Sequence, residues 1–101
     1  MPYIKSEYND LDKYDNNGNI IYFKKGTNIW HNPYGPASIG KNGYKVYYIE
    51  GKRHRLDGPA AIWSNGDEYY YINNEYLTKE EFEIHPERLK FLGKEYLICL
   101  T

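Results

Sequence analysis

His31-Asn32-Pro33-Tyr34-Gly35-Pro36-Ala37 returns 23 positions later as His54-Arg55-Leu56-Asp57-Gly58-Pro59-Ala60, with a histidine four residues before Gly-Pro-Ala in both copies. The flanks keep the same register, because Asn42-Gly43 and Asn65-Gly66 also stand 23 apart, and Asn17-Gly18 marks an earlier, less regular copy. Self-similarity at such a period signals stacked supersecondary units, none of which buries its hydrophobic face alone.

Inside each copy the apolar residues alternate with a period of two, which predicts strands rather than helices. Pro59–Trp63 and Asp67–Ile72 flank Ser64-Asn65-Gly66, and Asn-Gly between hydrophobic runs is a strong hairpin signal because both residues tolerate positive φ. The preceding copy reads as strands over Pro36–Ile39 and Tyr44–Ile49, and the earliest keeps only Ile20–Lys24. Superposing the copies sets Tyr22, Tyr47 and Tyr70 on one face, with Phe23, Tyr48, Tyr71, Ile21, Val46 and Tyr69 on the other. A sheet apolar on both sides needs two covers.

One cover is written at the C-terminus. Leu77-Thr78-Lys79-Glu80-Glu81-Phe82 is a capping box with a hydrophobic staple, so a helix starts at Lys79. His85-Pro86 breaks or restarts it, since the residue before proline avoids the α region. Glu87–Leu92 then forms further helical turns stopped by Gly93, and Tyr96–Leu100 reads as a last apolar strand or docking tail. Phe82, Leu89, Phe91 and Leu92 are the expected cover; Tyr3–Leu11 folded back, or a second copy of the chain, is the candidate for the other side.

The fold class is therefore α+β and mostly β, an antiparallel meander of hairpin repeats with a short C-terminal helical segment packed on one face. It forms a single domain over 1–101, divided into an N-terminal segment 1–16, hairpin repeats 17–77, and a helix with a strand or tail at 78–101. With 101 residues, a large enclosed catalytic pocket is not expected. Thirteen tyrosines raise the aromatic share to 18%, so the core rests on rings that bury their bodies and keep a hydroxyl near water or a partner.

The formal net charge of −1 hides a polarity. Lys24, Lys25, Lys41, Lys45, Lys52, Arg53 and Arg55 face Glu50 alone between positions 24 and 55, whereas Asp57, Asp67, Glu68, Glu75, Glu80, Glu81 and Glu83 face Lys79 alone between 56 and 83. Such a chain steers an anionic partner to one half, pairs head-to-tail with itself, or cancels the charges between neighbouring hairpins. A lone Cys99 excludes an internal disulfide, and no apolar leader or membrane-length run is present; the expected location is cytoplasmic, in the host cell cytoplasm if the protein is viral.

Catalytic and metal chemistry find little support. His31, His54 and His85 lack the tight ligand spacing of a zinc site, and the repeat-position histidines suit hydrogen bonds to the adjacent turn. Cys99 sits in an apolar stretch where a thiol is inert. Glu80-Glu81 occupies a first helical turn, where acids complement the dipole. The glycines are spaced by hairpin turns and open no phosphate-binding helix. No enzyme, metal or cofactor is expected.

Written as Tyr47-Tyr48-Ile49-Glu50-Gly51-Lys52-Arg53-His54, then Gly58 and Asn65-Gly66-Asp67, the chain resembles MORN-type repeats. It is closest to the variant carrying His-Arg-x-Asp-Gly-Pro-Ala and a terminal Glu-Glu-Phe helix, found in small phage and giant-virus proteins. The resemblance runs from about Asn17 to Phe82 and implies a binding module without catalysis that interferes with a host component. It departs at Arg55 and Asp57, where ordinary MORN repeats carry small residues, so membrane binding is not expected.

The candidate partner-binding residues are the basic turn Lys52, Arg53, His54 and Arg55, with Trp30, Tyr47, Tyr70 and Trp63 as aromatic anchors, residue types enriched at binding hot spots. The favoured partner is a host protein such as a defence nuclease, occluded by a small inhibitor of the anti-CRISPR kind. A nucleic acid or nucleotide messenger, using the basic turn and the tyrosines, is the first alternative, although a pI near 6.3 is low for it. A self-assembling scaffold, of which a homodimer is the simplest form, is the second.

Overall fold

The computed structural model describes Tyr3, Ile4 and residues 6–100. Ten strands precede the helices: β1 Tyr3–Ile4, β2 Leu11–Asn16, β3 Asn19–Lys24, β4 Ser38–Ile39, β5 Lys45–Val46, β6 Tyr48–Ile49, β7 Lys52–Arg53, β8 Ala61–Ile62, β9 Glu68–Ile72 and β10 Glu75–Leu77. Helices α1 Lys79–Glu83 and α2 Pro86–Phe91 follow, then a 3-10 helix over Glu95–Leu100. All strand pairs are antiparallel, in a main sheet ordered β1-β2-β3-β4-β5-β8-β9-β10 and a separate ribbon β6-β7. The result is the expected mostly-β meander with helices on one face.

The strand expected over Tyr44–Ile49 is broken at Tyr47, which changes sheets. Its N–H reaches the Ala60 carbonyl of the main sheet at 2.7 Å, while its own carbonyl accepts the His54 N–H of the ribbon at 3.1 Å. The repeat is visible as a repeat of bonds. His31 bonds the Tyr22 carbonyl as His54 bonds that of Tyr47, and Ala37 bonds Val46 as Ala60 bonds Tyr69. Ala37 and Ala60 are fully buried.

Residues 11–16 belong to the sheet. β2 pairs with β3 over six residues, from Leu11 opposite Lys24 to Asn16 opposite Asn19, and extends the sheet. Tyr8 then packs edge-on against Tyr22, 5.6 Å between centroids, and stacks on Tyr34 at 4.8 Å. The Tyr22 hydroxyl donates to the Glu7 carboxylate; that bond holds Glu7 below its ordinary pKa, while burial pushes the Tyr22 hydroxyl upward.

At the other end Thr78 caps α1 through a complete capping box. Phe82 closes a core cluster with Ile72 and Leu77, and its ring lies 4.6 Å from that of Tyr70. His85 caps α2, accepting the Glu87 N–H at Nδ1, with Pro86 where its missing N–H does no harm. Gly93 at φ +74 ends α2 in a Schellman arrangement, with Gly93 N–H on the Lys90 carbonyl and Lys94 N–H on that of Leu89. The turn redirects the chain, and of the two expectations for Tyr96–Leu100, a strand or a docking tail, the strand does not form: the segment is 3-10 helix against α2. Of the four residues expected to cover the sheet, Phe82 packs on Ile72, Leu77 and Tyr70 and Leu89 is buried, whereas Phe91 and Leu92 are exposed.

Candidate functional site

The phrase that announces the repeat builds the joints between its copies. Glu50-Gly51 and Asn73-Asn74 are two-residue hairpin turns with both φ angles positive, as the twist of tight antiparallel hairpins requires. His31 accepts the Glu50 N–H at Nδ1 at 2.9 Å, and His54 accepts that of Asn73 at 3.0 Å. Beside them the Asn32 N–H reaches the Tyr48 carbonyl and the Arg55 N–H that of Tyr71. Each histidine thus holds the following hairpin's turn.

The side chains after the histidines do equivalent work. Asn32 donates its amide to the Pro36 carbonyl at 3.0 Å; Arg55 donates Nη1 to the Pro59 carbonyl at the same distance. Arg55 also pairs with Asp57 at 2.8 Å, and its guanidinium lies 4.1 Å from the centre of the Tyr47 ring. Trp30 meets Tyr48 of the following hairpin, 5.2 Å between centroids, and Arg53 meets Tyr71 with its guanidinium 4.5 Å from the ring centre. Three residues of the basic turn therefore have internal duties. Lys52 is exposed and, with Lys25, Lys41 and Lys45, forms no ion pair among the described residues, whereas Lys24 is paired with Glu50 at 2.9 Å.

The eight candidate residues do not form one patch. Tyr47, His54 and Arg55 line a cleft on the helix-covered side with Phe91, and Tyr70 lies under Phe82. Arg53 and Trp63 line a groove on the opposite side with Val46, Tyr48, Ala61, Tyr69 and Tyr71; Trp30 joins that side through Tyr48. Tyr69, Tyr71 and Tyr76 extend it in ring contacts of 6.2 and 5.6 Å, and Trp63 lies 6.0 Å from Tyr44. Tyr76, absent from the sequence-based candidates, is 58% exposed; strand β10 presents it in the place that Trp30 and Arg53 hold in the earlier hairpins.

Of the segment Tyr3–Leu11 expected over this second side, Tyr8 packs instead on Tyr22, on the side of the helices; the side chains of residues 3–5 lie outside the described residues. Among the described residues, Arg53 is the single charged group lining the groove. Among the described residues no three His, Cys, Asp or Glu side chains converge as a metal site. The surroundings of the Cys99 side chain lie outside the described residues. No described helix is long and apolar enough to cross a membrane.

No family model, curated protein or solved structure matches the chain. The geometry of the two sides is therefore the basis for a functional reading.

Proposed function

We propose that this chain is a non-enzymatic binding protein that occludes a macromolecular partner with the open side of its sheet, in the manner of a small viral inhibitor of a host protein such as a defence nuclease. The observation that carries the reading is the composition of that side: tyrosines 48, 69, 71 and 76 with Trp63 surround one cation, Arg53. Depletion of charge with enrichment of Tyr, Trp and Arg is the signature of interface cores. Trp63 is 42% exposed. Rings of this kind present large contact area at small entropic cost.

The resemblance to small phage and giant-virus repeat proteins supports the inhibitory role and a host cytoplasmic setting. Occlusion requires no chemistry beyond complementary shape. The exposed Lys25, Lys41, Lys45 and Lys52 give an acidic partner faster encounter without deciding affinity.

The test is affinity capture from a host lysate at near-physiological salt, followed by reconstitution with the purified partner and a Trp63→Asp variant beside the wild type. A stoichiometric complex lost in that variant, with its circular dichroism and melting unchanged, is the expected result. Recovery of nucleic acid alone, released steeply by salt, promotes the nucleic-acid reading. Recovery of the bait alone, as a concentration-dependent oligomer, promotes self-assembly.

A further inference from the structure

On the helix-covered side, the repeat tyrosines at the two ends of the row are roofed by rings: Tyr22 by Tyr8 and Tyr70 by Phe82. The middle one, Tyr47, has no ring packed on it among the described residues. It has the Arg55 guanidinium and a cleft of about 270 Å³ between residues 32–35 and 54–57. Phe91, 56% exposed, stands on the cleft's third side.

We propose that this cleft binds a planar heteroaromatic ligand of nucleoside monophosphate size. Over Tyr47 the Arg55 guanidinium holds the place that a ring takes at the two flanking positions, so a planar ligand in the cleft stacks on that guanidinium and on Phe91 rather than on the tyrosine itself. Its volume lies just below the usual range for small-molecule pockets, about 300–1,000 Å³, which suits one base with its sugar. Base-on-aromatic stacking contributes on the order of a ten-fold gain in affinity or more per ring.

The wall also carries unused polar groups that a hydrocarbon ring leaves unsatisfied. His54 accepts at Nδ1, so its neutral form keeps the proton on Nε2 as a donor. Arg55 donates Nε to Asp57 and Nη1 to Pro59, leaving Nη2 for a phosphate oxygen. Asp57 uses Oδ1 for Arg55 and has its other oxygen to accept from an exocyclic amine. A donor, a cation and an acceptor beside stacking surface match a nucleotide. This site stands on the opposite side of the sheet from the groove of Arg53 and Trp63, so it is independent of the protein-binding reading.

The probes are AMP, GMP, CMP and UMP titrated into the full chain by calorimetry and by NMR of the tyrosine and phenylalanine rings, with inorganic phosphate and indole as comparisons. The expected result is saturable, sub-millimolar binding of at least one nucleotide that moves the Tyr47 and Phe91 signals. Phe91→Ala, which removes an exposed ring and leaves the melting temperature unchanged, weakens it about ten-fold. Asp57→Asn shifts the preference among the four bases. Absence of saturation at millimolar nucleotide overturns the proposal. So does phosphate binding as tightly as the nucleotide, indole binding in its place, or a Phe91→Ala protein that binds like wild type.

Discussion

His54 accepts the backbone N–H of Asn73 at 3.0 Å through Nδ1, the same bond that His31 makes with Glu50 one hairpin earlier. That bond requires Nδ1 to be unprotonated. Burial pushes the His54 imidazole below its ordinary value of 6.5, with nearby His85 adding to the shift and Glu87 opposing it. The unfolded chain then binds the proton more readily than the folded one, so stability rises with pH through this window. The contribution is complete above the unfolded value and is lost as the pH falls below about 6.5 toward the folded one. Urea midpoints should drop between pH 7.5 and pH 5.5 in the wild type, and His54→Gln should lower the midpoint at pH 7.5 while flattening that drop.

Arg55 does in its loop what Asn32 does in the preceding one, bonding the carbonyl of the proline four residues on. Arg55→Asn should therefore cost less stability than Arg55→Ala, with the alanine variant losing about 1 kcal/mol for the bond to Pro59 and more for the contact with Tyr47. Equal losses in chemical denaturation would show that the guanidinium acts through the Tyr47 ring alone.

Arg53 and Trp30 hold equivalent places, each against the tyrosine of the following hairpin. Arg53→Trp should fold with a stability within about 1 kcal/mol of the wild type, since one ring contact replaces another of similar worth. The same variant removes the one cation of the open groove and should abolish partner binding. A melting curve and a binding curve on one preparation separate the two effects.

Glu50 sits at φ +50, where its counterpart in the next hairpin is Asn73, also at φ +50. Asparagine tolerates this left-handed geometry better than glutamate. The carboxylate's pair with Lys24 is exposed and contributes little. Glu50→Asn should raise stability slightly, read as a higher denaturant midpoint with an unchanged slope. A lower midpoint would mean that the pair with Lys24 matters more than the backbone strain.

Where local chemistry decides local structure, the chain is legible. Thr78 with Glu81 announces α1 to the residue, and each Asn-Gly marks a hairpin. The joint made by the two histidines is legible too, because its residues recur at fixed spacing. What escaped depends on contacts distant in sequence. Leu-Asp-Lys-Tyr-Asp-Asn at β2 carries one aliphatic residue, Leu11, and is a strand because β3 supplies its partner bonds. The sequence marks Lys52–Arg55 as a cluster of charge. Only the register across the sheet reveals that Arg53 lies on the Tyr71 ring, that His54 is spent on Asn73, and that Arg55 turns to the other side. Residues 53 and 55 then serve different sides of the sheet, a separation that their proximity in sequence conceals.

The N–H of Gly51 reaches the Trp30 carbonyl and that of Asn74 reaches the Arg53 carbonyl, but the equivalent Gly26 N–H meets the side chain of Asp12 at 2.8 Å. At the far end the Thr78 N–H, which in the earlier copies crosses to the next hairpin, turns back to Glu81. Two carboxylates therefore act as bookends, each supplying locally an acceptor that a neighbouring copy provides elsewhere. Between them, the joints repeat one set of backbone bonds, Asn32 to Tyr48 and Arg55 to Tyr71. A 23-residue module spliced between the two Gly-Pro loops would lengthen the open aromatic side by one more step while leaving both terminations untouched.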